Sequence, residues 1–283
     1  MISTKLSELF TVSVDNQEED WLKVISNQHC KFLRRKCIKV RKSQPEISIG
    51  TCTVKYGKED NDIIICPHRL IENRKIFLDC IHLLTLHEPG NDLHVVSEVG
   101  IPGGSIDYVL LSTKDNKVVD FVGVELQTLD TTGTVWPVRQ RFLKSQGFEV
   151  NNTDFESAKT FGMNWKMTAK TILVQLHHKI ETFETLNRHL VLVVQDKLLD
   201  YMQKEFSFGH ISKIARIGDS MHFHSYRLNK KDNAYHLSLF ERMSTDSLGI
   251  SKCMGLQAEA NIELEVIIKT LQSKISASTI LTI

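Results

Sequence analysis

The chain of 283 residues contains no run of eighteen consecutive apolar side chains, which excludes a helical membrane span. Its opening residues, Met1 to Phe10, do not pass from charge into an apolar stretch as a secretory signal does, so the expected location is the cytoplasm. No charge excess is present either. Thirty-five Lys and Arg face 34 Asp and Glu, a formal net charge of +1, so no bulk field announces a nucleic-acid partner and only the distribution of charge can point to one. There is no internal repeat and no low-complexity tract. Cysteine is sparse, six in all, and no two are separated by the two-residue gap of a zinc ribbon. What remains is an ordinary globular composition, 41% hydrophobic and 24% charged, enough for one large core or one core with a small appended module.

Four of the six cysteines, Cys30, Cys37, Cys52 and Cys66, fall close enough in sequence to wrap around one ion. In a reducing compartment they are either buried thiols or metal ligands. Four thiolates suit zinc, or a single iron, and a metal would stabilise a segment poor in core residues of its own. His29 and His68 stand beside Cys30 and Cys66 as substitute ligands or structural histidines. Cys80 and Cys253 read as helix core, with Cys253 opening a late helix. Lys31 to Lys42 carries seven basic residues in twelve, either a solvated face or a surface for phosphates.

Pattern along the chain predicts a helical lead-in up to Ser26 containing Trp21, then the cysteine-rich module. Leu70 to Leu86 has helical spacing, with Ile71, Phe77, Leu78, Ile81 and Leu84 as candidate buried positions. Lys170 to Asn187 repeats Ile172, Leu173, Leu176, Ile180 and Phe183 at threes and fours, again a helix. His189 to Gln195 is nearly all apolar and reads as a central strand covered on both faces. Asp196 is placed to cap a helix running to Phe206. Met221–Leu228 and Tyr235–Arg242 read as a hairpin, and a last helix is expected over about 255–275. The class is α/β with a mixed sheet.

The strongest chemical signal is Asp107 in Gly104–Ser112 and the Glu125-Leu126-Gln127 triplet in Val118–Gln127. Lys114-Asp-Asn-Lys117 supplies a polar turn, so the two segments pair as a hairpin. Alternation along a strand puts Phe121, Gly123, Glu125 and Gln127 on one face. If Asp107 shares it, two carboxylates and an amide converge. Such a cluster can hold a hard cation such as Mg²⁺, which keeps several waters and needs few protein ligands, with the main-chain carbonyl of Leu126 as a third. Glu125 lies in an apolar strand, where a charge without a partner or metal is costly. Gln127 can orient water or a phosphate oxygen but is no base. Glu98 is a second-metal or outer carboxylate. Lys166 and Lys170 are exposed helical lysines or suppliers of positive charge, and Asp130-Thr-Thr-Gly-Thr134 is a turn or a phosphate contact.

Asp107 after a Gly-Gly loop, Val124-Glu-Leu-Gln127, Asp130-Thr-Thr-Gly-Thr134 and four upstream cysteines together resemble the NotI-type restriction endonucleases. These belong to the PD-(D/E)xK nuclease superfamily, in a branch where glutamine replaces the final lysine. The resemblance runs from about Cys30 to Gln195, and Ile106 departs from the proline of the superfamily name. It implies a restriction-endonuclease-like core, a mixed central β-sheet flanked by helices (residues 70–283), preceded by a four-cysteine metal-binding module (residues 1–69). It implies Asp107 and Glu125 as Mg²⁺ ligands, Gln127 in the lysine position, Glu98 as a further catalytic carboxylate, and Cys30, Cys37, Cys52 and Cys66 holding structural iron or zinc. The expected activity is type II, Mg²⁺-dependent, sequence-specific cleavage of double-stranded DNA by a homodimer, with a cognate DNA methyltransferase in the same system but not as a physical partner. Base contacts are expected from among Arg34, Arg35, Arg139, Arg141 and the Tyr226-Arg227 hairpin. The alternatives are a metal-stabilised DNA-binding protein without catalysis, or a same-fold nuclease of repair or RNA processing.

Overall fold

His189–Gln195 is buried at every residue. Its near-continuous β-branched and leucine sequence suits a strand packed on both faces, and the structure is arranged around it. In the computed structural model, which describes residues 5–255 with 268, 269, 272 and 273, this strand is third of six in a mixed sheet. From one edge the order is Ala234–Thr245, Met221–Lys231, His189–Gln195, Lys117–Gln127, Gly104–Lys114 and Asp92–Ile101. The middle pairings are parallel and the outer ones antiparallel. Two of its three hairpins turn through a polar dipeptide in the left-handed region, Asp115-Asn116 and Asp232-Asn233, the conformation whose twist matches paired strands.

Alternation splits the core in two. Leu190, Leu192 and Val194 face the helix Trp165–Thr185, whose apolar stripe Ile172, Leu173, Leu176, Ile180 and Phe183 is buried as the spacing predicts. Val191 and Val193, with Val122, Val124 and Leu126, face the segment 70–84 on the other side. That segment is not the continuous helix expected. It is a 3₁₀ turn Pro67–Arg74, a single helical turn Lys75–Leu78 and another 3₁₀ turn Ile81–Leu83. Asn73 and Arg74 take left-handed backbone and break the helix, which turns Leu78 out to 63% exposure. The amino-terminal lead-in also differs: Leu6–Leu9 and Val12–Ser13 are strands, and the helix Trp21–Asn27 comes after them. Gln195, rather than Asp196, holds the N-cap position of Asp196–Glu205; Asp196 is the first helical residue, and its carboxylate accepts the Lys197 N–H at 2.9 Å and pairs with Arg227 at 3.1 Å. Cys253 closes the helix Ser247–Cys253 instead of opening one, and the helix expected over 255–275 lies almost wholly outside the described residues.

A second antiparallel sheet, in the order Val12–Ser13, Leu6–Leu9, Thr51–Tyr56, Asn61–Ile64, carries the cysteine-bearing segment. It is tied to the main sheet by polar contacts as well as by core. Gln195 accepts from the Ile64 N–H at 2.9 Å and donates to the Asp62 carbonyl at 2.7 Å. Arg69, fully buried, bonds Glu8 at 2.9 Å, Glu72 at 2.7 Å and the Tyr235 carbonyl at 2.8 Å, while Glu72 also accepts from Leu237 N–H. Charges this deep stay charged only because each is answered, and removing one partner is more costly than the pair is stabilising. Among the described residues no helix is long and apolar enough to cross a membrane.

Under the 70–84 segment lie four histidines. The rings of His189, His222 and His224 succeed one another at 5.3 and 6.4 Å, and His82 stacks on His224 at 6.2 Å. Burial, with neighbouring His189, pushes His222 down to about 4, and burial with Arg242 pushes His224 to about 2, from an ordinary value of 6.5. Both are neutral in the folded chain at pH 6.5, whereas the unfolded chain takes up protons there. Stability therefore falls as pH drops from about 6.5 towards 4, by on the order of 3 kcal/mol for His222 alone. Urea midpoints measured at pH 7.5, 5.5 and 4.5 should fall in that order, and His222→Leu should flatten the trend; an unchanged slope in that variant would refute the assignment.

Candidate active site

Register builds this site. The strands Gly104–Lys114 and Lys117–Gln127 pair Val109 with Gly123 and Tyr108 with Val124, and the same register carried one step further sets Asp107 opposite Glu125. The Asp107 carboxylate accepts the Leu126 N–H at 2.8 Å, which fixes it against the Glu125 strand. The two carboxylates differ in environment, Asp107 exposed and Glu125 only 5% exposed. Burial raises the Glu125 carboxyl to about 7; the hydrogen bond from Lys179 opposes this, and the charge of Asp107 adds to it.

Gly123, Glu125 and Gln127 do share a face, the one towards Trp165–Thr185. A Cβ on Gly123 would stand 2.4 Å from the Phe183 ring, so glycine lets the helix come close beside the site. Gln127 is half-buried, with its amide N–H donating to the Thr128 carbonyl at 2.6 Å. Glu98 sits on the exposed edge strand in a left-handed conformation, between Ser97, paired with Tyr108, and Val99, paired with Ile106. It thus flanks Asp107, and the two carboxylates together, after burial, raise the Tyr108 hydroxyl.

Sequence reasoning missed the cation of this site. Lys179, on the long helix and 8% exposed, donates from Nζ to Glu125 Oε1 at 2.8 Å. A signal existed: Lys179 lies three residues after Leu176 and four before Phe183, inside the apolar stripe, where a solvated lysine does not belong. Lys166 is exposed and pairs with Glu205 at 2.7 Å, and Lys170 is exposed on the same helix. Thr131–Gly133 forms a short ladder with Phe161–Met163, and Thr134 accepts the Trp136 N–H at the start of a helix, so the threonine run is occupied in local structure.

The four cysteines line one cavity of about 10 Å³, with Phe10, Leu33, Lys39 and His68 completing its wall. Burial raises the Cys30 thiol. A hydrogen bond from Cys52 lowers Cys66 to about 7 against its burial, while the same contact raises Cys52. One buried nitrogen of His68, Nδ1, has no hydrogen-bond partner. Among the described residues, however, no three of His, Cys, Asp and Glu are arranged to hold a metal ion, neither these thiols nor the acidic cluster.

The basic run is exposed at Lys31, Arg34, Arg35, Lys36, Lys39 and Lys42. Phe32 and Leu33 anchor it on the same core that Tyr108 packs against. Arg35 and Lys39 on one side and Asp107 on the other all act on the charge of His68, so the run borders the carboxylates. Arg139, in contrast, is buried and spent on the Ile49 carbonyl at 2.9 Å; Tyr226 is buried on Asp79 at 2.7 Å. Arg141 is turned to the Ser157 carbonyl at 3.2 Å, and Arg227 stays exposed beside Asp196. Arg139 and Tyr226 are thus removed from the candidates for DNA contact.

A protein-family model described as "Restriction endonuclease NotI" matches residues 38–235, more than half of the chain. No curated protein matches it.

The turn before Asp107 gives the test of this geometry. Gly103 has φ +90, and a Cβ there would lie 2.3 Å from the His178 carbonyl oxygen. Gly103→Ala should therefore lower stability by about 1–3 kcal/mol in denaturant unfolding. It should also slow DNA cleavage by displacing the hairpin from the helix; wild-type behaviour in both would contradict the close approach.

Proposed function

Because the chain belongs to the NotI restriction endonuclease family and is a site-specific deoxyribonuclease, we propose that it is a type II restriction endonuclease which hydrolyses double-stranded DNA at one sequence, with Mg²⁺ held by Asp107 and Glu125. The observation that carries the reading is the fixed Asp107 carboxylate, bonded to Leu126 N–H at 2.8 Å beside the buried Glu125. The donor set fits the ion: hard carboxylate oxygens from adjacent strands, with the Leu126 carbonyl as a third and room for water on the exposed Asp107 side. When bound, Mg²⁺ makes an attacking water more nucleophilic and stabilises the charge on phosphate and leaving oxygen.

The chain's own residues do the rest. In the hydrolysis a water oxygen bonds to phosphorus, the P–O3′ or P–O5′ bond breaks, and the departing oxygen takes up a proton. Asp107, held by a backbone N–H, keeps its orientation as substrate arrives. Gln127, with its N–H groups engaged by Thr128, offers its amide oxygen to orient a water. Glu98 is assigned as an outer carboxylate beside Asp107. Arg34, Arg35 and Lys39 are assigned to phosphates of the bound duplex, each neutralised phosphate releasing counterions. A palindromic target is matched by a two-fold protein, so the active form is assigned as a homodimer. A DNA methyltransferase protecting the host's own sites belongs to the same system. The non-catalytic DNA-binding alternative is set aside, since family membership makes the chain an enzyme.

Within this reading residues 1–69 form a metal module and residues 70–283 the nuclease. The support for the module is that Cys30, Cys37, Cys52 and Cys66 line one cavity and that Cys66 is already pulled towards its thiolate near pH 7. Thiolates are the form that binds zinc or iron, and a cation would remove the repulsion among four of them.

Purified protein with Mg²⁺ and phage DNA should give discrete bands that vanish with EDTA. Glu125→Ala should abolish the bands while sequence-specific binding in Ca²⁺ survives; the same bands from that variant would refute the site. Metal analysis of the purified protein should find one iron (red, with thiolate-to-iron bands) or one zinc (colourless) per chain. Loss of the metal in Cys37→Ser is expected, and a metal-free, fully stable wild type would remove the module from the proposal.

A further inference from the structure

We infer that Lys179 is a positioning residue of the cleavage site, acting through Glu125 to supply the fixed positive charge that the Glu125–Gln127 strand lacks. The inference rests on the assignment of Asp107 and Glu125 above. Its first support is contact: Lys179 Nζ lies 2.8 Å from Glu125 Oε1, with the two side chains 10% and 6% exposed. A buried pair is an expensive way to stabilise a fold, since well-packed apolar residues of the same volume generally do as well or better. At the active carboxylate, the same charge has a use.

The second support is the way the backbone is shaped around this lysine. The turn joining the edge strand to the Asp107 strand contains two consecutive glycines, both at positive φ, +90 at Gly103 and +138 at Gly104. A Cβ on Gly103 would meet the His178 carbonyl oxygen, and one on Gly104 would reach to 3.4 Å from Lys179 Cε. Thr182, one helical turn later, donates its hydroxyl to the Pro102 carbonyl at 3.1 Å. The turn is thus moulded on residues 178–182 of the helix, and its fit brings the ammonium beneath the hairpin. That approach sets the distance between Lys179 and the Asp107 strand as well as Glu125.

The third support is that the Glu125–Gln127 strand supplies no cation of its own. Gln127, on the same face as Glu125, is neutral and bonded to Thr128. Lys166 is paired with Glu205 on the surface, and Lys170 is exposed. Negative charge accumulates on a phosphate as its ester bond breaks. A preorganised ammonium in a poorly hydrated site stabilises that charge far better than one in water. Lys179 balances Glu125 before a divalent cation arrives, and as the buried cation of the site it is distinct from the exposed Arg34, Arg35 and Lys39 assigned to the duplex backbone.

Single-turnover cleavage, DNA affinity in Ca²⁺ and Ca²⁺ affinity of the free protein together test this. Lys179→Met removes charge and hydrogen bond; Lys179→Gln removes only the charge and is the variant to use if Met fails to fold. Cleavage should fall by about 100-fold or more, as for loss of one preorganised donor, with DNA affinity within about threefold. Ca²⁺ should bind the free variants as tightly as wild type or more tightly, because a competitor for Glu125 has gone. A folded variant that cuts within about threefold of the wild-type rate overturns the inference. Parallel loss of cleavage, Ca²⁺ binding and DNA binding in folded Lys179→Gln also overturns it, because that pattern marks a collapsed site. An active Glu125→Ala would sink the underlying site assignment, whereas an inactive Glu125→Ala beside an active Lys179→Met would sink only the role of the lysine.

Discussion

A carboxylate inside a sheet is the constraint from which the rest of this structure follows. Glu125 is on an interior strand, with neighbours on both sides and a helix over its face. Left alone, its charge would be held off by burial, and burial does raise its pKa to about 7. Two groups answer it, the Lys179 ammonium and the backbone N–H of Asp107, while the Asp107 charge adds to the rise. The glycines at 103, 104 and 123 follow from that need. At Gly103 and Gly123 a Cβ would meet the Trp165–Thr185 helix at 2.3 and 2.4 Å, whereas at Gly104 it is the φ of +138 that calls for glycine.

How much of this could be read from the chain depended on which force set each feature. Strands and turns governed by local pattern were legible. The hairpin with Asp115-Asn116, the hairpin with Asp232-Asn233, the fully buried His189–Gln195 and the five-residue stripe of the long helix all lie where spacing put them. Segment 70–86 was not legible, because its apolar spacing is helical while its backbone is not. Asn73 and Arg74 take left-handed conformations that no glycine advertises, and Arg69 there is held by tertiary contacts with Glu8 and the Tyr235 carbonyl. Tertiary demand overrode propensity.

The site divides in the same way. Asp107 and Glu125 could be brought together by strand alternation, since both belong to one hairpin. Lys179 comes from a helix 54 residues further on, and no local rule joins it to Glu125. Only its place within an apolar stripe was a clue. The arginines show the converse error. Arg139 looked like a free cation in sequence, yet it is 3% exposed and spends its donors on the carbonyls of Ile49 and Ser48. A basic residue near a functional segment is a contact for DNA only if the fold leaves its donors unspent.

The cysteine-bearing segment carries such exposed arginines. Its hydrogen bonds are local: His29–Cys30 pairs with Arg35–Lys36 and Val40–Arg41 with Gln44–Ser48, with Cys37 N–H donating to the Gln28 carbonyl at 2.8 Å and Ser48 to the Cys37 carbonyl at 2.6 Å. Between Cys30 and Cys37 the chain sends Phe32 and Leu33 down onto the core beside Tyr108, and leaves Arg34 and Arg35 outside. Arg34 takes a left-handed conformation at the bend. The hairpin is closed by the Cys30–Arg35 pairing, and Cys30 and Cys37 at its ends both line one small cavity. Whatever fixes those thiols fixes the position of the arginines relative to Asp107. The hairpin thus sets where Arg34 and Arg35 stand relative to Asp107, and the proposed thiolate metal centre would act on that placement.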